Sequence, residues 1–211
     1  MKPLRFSQRF QRGLRLLLLA PMLALSACLS LGPGADEAPQ LYTIRPASAF
    51  TPGLPSSEKH LVIEAPLAPK GLDTTRIAVR ETAQAVGYYA DARWIEPAPR
   101  MFQAALIESF RNSGRVLAVS RRDPEVGTDY SLKIEFAEFA ADVSGGGAPI
   151  VRIALTARLV SVPERRLIAT EHFEQSVKAE DASIGAVAAA FDEAAQALCA
   201  GLVAWTVPAL R

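Results

Sequence analysis

The strongest constraint on the fold is a succession of three strand patterns between Tyr130 and Val177. Tyr130, Leu132, Ile134 and Phe136 fall on one side and Ser131, Lys133 and Glu135 on the other, the period-two alternation of a half-buried strand. Glu138 breaks the phase and Phe139 resumes it; one extra residue, a β-bulge near Ala137–Glu138, reconciles the two halves. Ser144-Gly145-Gly146-Gly147 reads as a turn, after which Val151, Ile153, Leu155, Ala157 and Leu159 alternate against Arg152, Thr156 and Arg158. A second turn over Pro163–Arg166 leads into a third strand from Leu167 to Val177. Connections this short join antiparallel neighbours, so the segment is expected to form an antiparallel meander.

The elements before and after it complete the expected fold. Leu41–Ile44, His60–Glu64 and Arg76–Arg80 read as strands, with Ala85–Tyr89 as a hairpin partner for the last and an irregular Pro/Ser-rich stretch over Pro46–Ser57. Pro97 or Pro99 opens a helix at a position that tolerates proline. Phe102, Leu106 and Phe110 build its apolar face, and Asn112-Ser113-Gly114 ends it. A strand over Arg115–Val119 follows. The chain closes on a helix from about Ser183 to Trp205, striped by Ile184, Val187, Phe191, Ala194, Leu198, Leu202 and Trp205. The expected class is α/β in the α+β sense: residues 41–211 as one domain, with a single mixed sheet, a C-terminal meander and two main helices packed on it.

The N-terminus carries a separate signal. Lys2, Arg5, Arg9, Arg12 and Arg15 precede an apolar run over Leu16–Leu25 that ends on Leu25-Ser26-Ala27-Cys28. A basic n-region, a short apolar core and small residues before a cut describe a secretory signal peptide, here residues 1–27; the run is shorter than the roughly 20 apolar residues of a membrane span. An uncleaved anchor helix, or a plain signal peptide cut near Ala27 with Cys28 unmodified, are the alternatives. Leu25, Ser26, Ala27 and Cys28 resemble the bacterial lipobox, which implies cleavage before Cys28 and acylation of its thiol and then of its new amine. Two or more acyl chains give stable attachment where one is marginal. By resemblance to Gram-negative sorting, Leu29 after the cysteine, in place of Asp, favours the outer membrane. Residues 28–40, rich in Gly, Pro and small side chains, read as a flexible tether that spans at most about 40 Å when extended.

Removing the leader changes the electrostatics. The whole chain has 23 Lys+Arg and 22 Asp+Glu; without the five leader cations, 18 face 22, a net of −4. A nucleic-acid role loses its basic surface. Of the two cysteines, Cys199 is left without a partner once Cys28 is acylated, so no intrachain disulfide is expected; its Ala-rich helical setting reads as that of a buried, inert thiol.

Candidate chemistry is sparse. The two histidines, His60 and His172, lie in strand patterns with no metal-ligand spacing, and no Gly-x-Ser-x-Gly elbow is present. Gly145–Gly147 lacks the residues of a dinucleotide or phosphate loop. The Asp192-Glu193 pair lies on adjacent helical positions that do not share a face. No catalytic residue, metal ligand or cofactor site is assigned. One segment stands apart: Tyr88-Tyr89-Ala90-Asp91-Ala92-Arg93-Trp94, then Glu96-Pro97. Aromatics with Arg in what reads as a strand-to-helix connection have the composition of a contact site, which makes Tyr88, Tyr89, Arg93 and Trp94 candidates for partner docking or self-association as a homo-oligomer. A local packing cluster that pins the loop to the first helix is the competing reading.

The block from Tyr88 to Pro99 also resembles the signature of the ABC-type transport auxiliary lipoproteins, the family that includes paraquat-inducible protein C. Leu41-Tyr42-Thr43-Ile44, Val62-Ile63-Glu64-Ala65-Pro66, Leu72–Arg80, Asp129-Tyr130-Ser131-Leu132 and the terminal helix with Phe191, Ala194 and Trp205 agree with it. The Gly turn at Gly145–Gly147 departs from it in a hairpin expected to vary. The resemblance implies a non-enzymatic accessory of an MCE-type ABC system, which moves lipids or other apolar molecules between membranes. It implies no ATPase in this chain, a periplasmic MCE-domain protein as partner, and a place at the outer-membrane end. A structural or regulatory envelope lipoprotein, for example one touching a cell-wall synthase, is the rival reading.

Overall fold

The computed structural model describes residues 38–121 and 127–211. Cys28, the cleavage residues Leu25, Ser26 and Ala27, and all but the end of the tether lie outside the described residues. The elements are β1 (Gln40–Tyr42), β2 (Ser57–Ile63), β3 (Arg76–Arg80), β4 (Val86–Trp94), α1 (Ala98–Ser113), β5 (Val116–Ser120), β6 (Tyr130–Asp142), β7 (Ile150–Ser161), β8 (Arg166–Lys178) and α2 (Ile184–Thr206), with a closing 3-10 turn over Val207–Ala209.

All eight strands belong to one mixed sheet organised on β6. One edge of this 13-residue strand pairs along its length with β7, which pairs in turn with β8, both antiparallel. The other edge is shared. Its first half pairs parallel with β2 through Leu61↔Tyr130 and Ile63↔Leu132, and its last residues pair parallel with β3 through Val79↔Ala141. Beyond β2 lies β5, parallel to it; beyond β3 lie antiparallel β4 and then β1, parallel to β4. The phase break anticipated near Ala137–Glu138 is present: the register slips between Phe136↔Leu155 and Glu138↔Ala154. The slip keeps Leu132, Ile134, Phe136, Phe139 and Ala141 on one face, and all five are buried.

Both helices cover that face. Phe102 of α1 meets Phe136 edge-on at 5.1 Å, and α2 lies over β7 and β8, where Trp205 meets Phe173 at 5.8 Å. Pro97 caps the start of α1, and Gly114 ends it in the left-handed conformation at φ 60°, donating its N–H to Arg111 O; a residue without Cβ takes this conformation at least cost. Ser183 caps α2 by accepting from the Ala186 N–H at 3.3 Å. Long and apolar enough to cross a membrane by composition, α2 instead spends its apolar side on the sheet, with Val187, Phe191, Leu198 and Leu202 buried. Among the described residues no helix covers the opposite sheet face, where Lys133, Glu135 and Arg158 stand exposed.

Candidate functional site

The candidate docking segment is the strand β4 itself, not a strand-to-helix connection as its composition suggests. Its pairing with β3 passes from Arg76↔Arg93 to Ala78↔Tyr88: two steps along β3 match five along β4, so three residues bulge out. Carbonyls in such a bulge lose their ladder partners, and Arg93 replaces them. Its Nη1 donates to the carbonyls of Tyr89 at 3.1 Å, Ala90 at 3.2 Å and Ala92 at 2.9 Å.

The bulge also separates the aromatics. Trp94 is 2% exposed and packs edge-on against Phe191 at 5.2 Å and Phe139 at 5.9 Å; the two phenyl rings stack at 5.1 Å. Its side chain belongs to the core, packed on β6 and α2 rather than pinning a loop to the first helix. Tyr88 lies on the other side of the sheet. Its hydroxyl donates to Gly71 O at 3.1 Å, and the Arg76 guanidinium sits 3.6 Å above its ring, a cation–π contact. Tyr89 is half-buried, and burial pushes its phenol pKa upward. Arg76 and Arg93 stand directly opposite each other, an arrangement of like charges that costs stability, and neither has a salt bridge among the described residues.

Another arginine has a structural task. Asp192 of α2 accepts from the Arg45 backbone N–H at 2.7 Å and its Nε at 2.8 Å, and from Gln196 Nε2 at 2.9 Å. This clamps the segment after β1 onto α2. The sequence gives no sign of this pair, whose members lie 147 residues apart. Ser109 adds a second clamp, accepting from the Ala47 N–H at 2.8 Å and donating to Ala105 O at 2.7 Å.

His60 and Ser120, unconnected in the sequence reading, meet across β2 and β5. His60 Nδ1 faces Gly127 O at 2.7 Å and Nε2 faces Ser120 Oγ at 2.9 Å. A carbonyl only accepts, so the network assigns the ring proton to Nδ1 and has Ser120 donate to Nε2. The distances are those of a serine–histidine pair, but the group behind the imidazole is a backbone carbonyl, and Asp129 is engaged with the His60 backbone N–H at 2.8 Å. The cluster joins β2, β5 and the approach to β6. Cys199 is fully buried, and burial pushes its thiol pKa up to about 12, so it is no nucleophile at neutral pH. On the uncovered sheet face, a cleft of about 430 Å³ contains Glu64, which accepts from Ser131 Oγ at 2.6 Å and lies 3.6 Å from Lys133 Nζ. Among the described residues no group of three His, Cys, Asp or Glu could hold a metal ion.

The fold and site thus define an α+β domain with one helix-covered face and, on the other, a tyrosine–arginine surface beside the strand through which the chain enters. Its sequence between residues 40 and 203 matches the model of the ABC-type transport auxiliary lipoprotein component family, and the chain belongs to that family. The crystal structure of a Xanthomonas campestris protein is similar at 29% identity and a TM-score of 0.77, covering 81% of this chain and 95% of that one. A second crystal structure, of an uncharacterized protein, shares the fold at 14% identity and a TM-score of 0.63, over 79% and 97% of the two chains. An uncharacterized protein of Bradyrhizobium diazoefficiens is 30% identical over 179 residues, 85% of this chain and 48% of that protein; the chain spans about half the length of this relative.

Proposed function

We propose that this chain is a lipid-anchored, non-enzymatic accessory of an MCE-type ABC system for lipids or other apolar molecules. Acylated Cys28 holds it in the outer membrane, and the domain works in the periplasm against an MCE-domain protein. The observation that supports this reading best is the family match over residues 40–203, nearly the whole described domain. The acidic balance after Cys28, 18 Lys+Arg against 22 Asp+Glu, argues against a nucleic-acid partner. The uncovered face of β4, with Tyr88 and Arg93, serves as a contact surface in this reading, while Tyr89 packs partly against the core and Trp94 supports the surface from beneath.

The test is crosslinking in intact membranes followed by identification of the bound protein. Recovery of an MCE-domain protein supports the transport role; recovery of cell-wall enzymes alone replaces it with the envelope-scaffold reading. Mass analysis of the membrane-extracted chain tests the anchor separately. An acylated N-terminal Cys28 is the expected product, and an intact leader refutes the cleavage reading.

A further inference from the structure

The surface around β1, β4 and β3 has the composition of a membrane contact rather than of a solvated sheet face. Leu41 is 65% exposed and Ile95 is 52% exposed. These side chains belong to neighbouring strand ends, since Leu41 pairs with Arg93 and the Ile95 N–H donates to Tyr42 O at 2.9 Å. Ile95 also lines a groove of about 230 Å³ beside β1 and α1, together with Ile44 and Met101 and the carboxylates Glu96 and Glu108. Next to Leu41 comes Arg93, then Arg76 directly opposite it, then the Tyr88 ring beneath the Arg76 guanidinium. Exposed aliphatics, a tyrosine and unpaired arginines side by side are what an interfacial site presents to headgroups and upper acyl chains.

Two arguments select a lipid surface over a protein as occupant. The first is position. β1 begins at Gln40, twelve residues after Cys28, so the chain itself holds this end of the sheet within about 40 Å of the lipid anchor. The second is charge. The mature chain has a net charge of −4, yet two arginines oppose each other here without a carboxylate between them. That arrangement costs stability in isolation and becomes favourable against phosphate, which guanidinium groups bind in bidentate fashion.

We propose that Leu41, Ile95, Arg76, Arg93 and Tyr88 form a membrane-facing surface that rests the domain on anionic phospholipid headgroups beside its own anchor. The inference rests on the lipoprotein reading for its geometry, and the surface can be tested without the anchor. The mature chain carrying Cys28→Ala is mixed with sedimentable vesicles of phosphatidylethanolamine and phosphatidylglycerol, or of phosphatidylcholine alone. The expected result is co-sedimentation with the anionic vesicles only, lost at about 1 M salt, where the screening length falls to roughly 3 Å. Arg76→Gln should lower the partition coefficient about fivefold, the equivalent of ~1 kcal/mol per surface cation. The pair Leu41→Ser and Ile95→Ser should lower it further while thermal melting and circular dichroism stay unchanged. Absence of binding by the parent chain, equal binding to both vesicle types, or folded variants that bind as well as the parent overturn the proposal. So does a result in which these variants lose a purified MCE-domain partner but keep the vesicles, since the surface would then be a protein interface.

Discussion

Replacing Trp94 separates the two roles that its segment invites. The indole is 2% exposed and packs edge-on against the stacked Phe139 and Phe191, at 5.9 and 5.2 Å. Truncation to alanine removes a buried aromatic that ties β4 to β6 and α2, and such changes cost about 3–5 kcal/mol. In a domain of this size each kcal/mol moves the midpoint by roughly 2–4 °C, so Trp94→Ala should melt about 6–20 °C below the parent. Trp94→Phe keeps a ring against both neighbours and should lose less than half as much. Urea unfolding followed by circular dichroism gives the free energy directly, and an unchanged slope against denaturant shows that the unfolded state is not what moved. A Trp94→Ala chain that melts within 2 °C of the parent, on the scale of a sub-kcal change, would refute the core assignment and return Trp94 to the surface.

Cys199 should resist maleimide at pH 7 in the folded chain and react once the chain is unfolded in urea. Burial pushes its folded thiol from the ordinary 9.0 up to about 12, so stability is full below about pH 9 and falls as pH rises from there toward the folded value. Asp181, which accepts from the Ser183 N–H at 2.7 Å, and Asp142, which accepts from the Ser144 hydroxyl at 2.7 Å, both have lowered pKa values. Their contribution is therefore full above the usual Asp value of about 4 and is lost as pH falls through the lower folded values; Asp181→Asn should flatten the acid limb of the melting profile. Asp192→Ala removes the acceptor of the Arg45 clamp, and because the guanidinium is exposed the loss should fall mainly on the backbone bond that holds the segment after β1. Hydrogen exchange should quicken first in residues 43–54, and uniform quickening along the chain would argue against a local clamp.

Much of the fold was legible because each signal had a local cause. The out-of-phase Phe139 required an extra residue in β6, and the register slip after Phe136 is that residue. Pro97 and Gly114 punctuate α1 through backbone geometry alone. The edge of β6 shared between β2 and β3 was not legible, since pairing partners are set by the whole sheet and not by either strand. Nor was β4. Tyr88 and Trp94 are six residues apart and would share a face in a regular strand. The three bulged residues turn an even spacing into an odd one, which sends Trp94 into the core and leaves Tyr88 outside. Ala90-Asp91-Ala92 offers no apolar period from which to see it. The long-range meeting of His60 with Ser120 was hidden for the same reason as Arg45 with Asp192: each polar partner is chosen by strand or helix placement.

The same bulge explains why composition alone overstated the contact site. Four arginines lie near β1, β3 and β4, and they divide by what their nitrogens already hold. Arg45 is committed to Asp192, Arg80 to Glu138 at 2.8 Å, and one nitrogen of Arg93 to three carbonyls. Arg76 is exposed and spends only the face of its guanidinium on Tyr88, which leaves its N–H edge directed at whatever approaches. A charge-removing change at Arg76 therefore probes contact, whereas the same change at Arg93 also strips the bulge carbonyls of their donor and probes folding. The two should give opposite patterns: Arg76→Gln weakens binding at constant melting temperature, and Arg93→Gln lowers both. Equal behaviour of the two variants would mean that the bulge does not depend on Arg93.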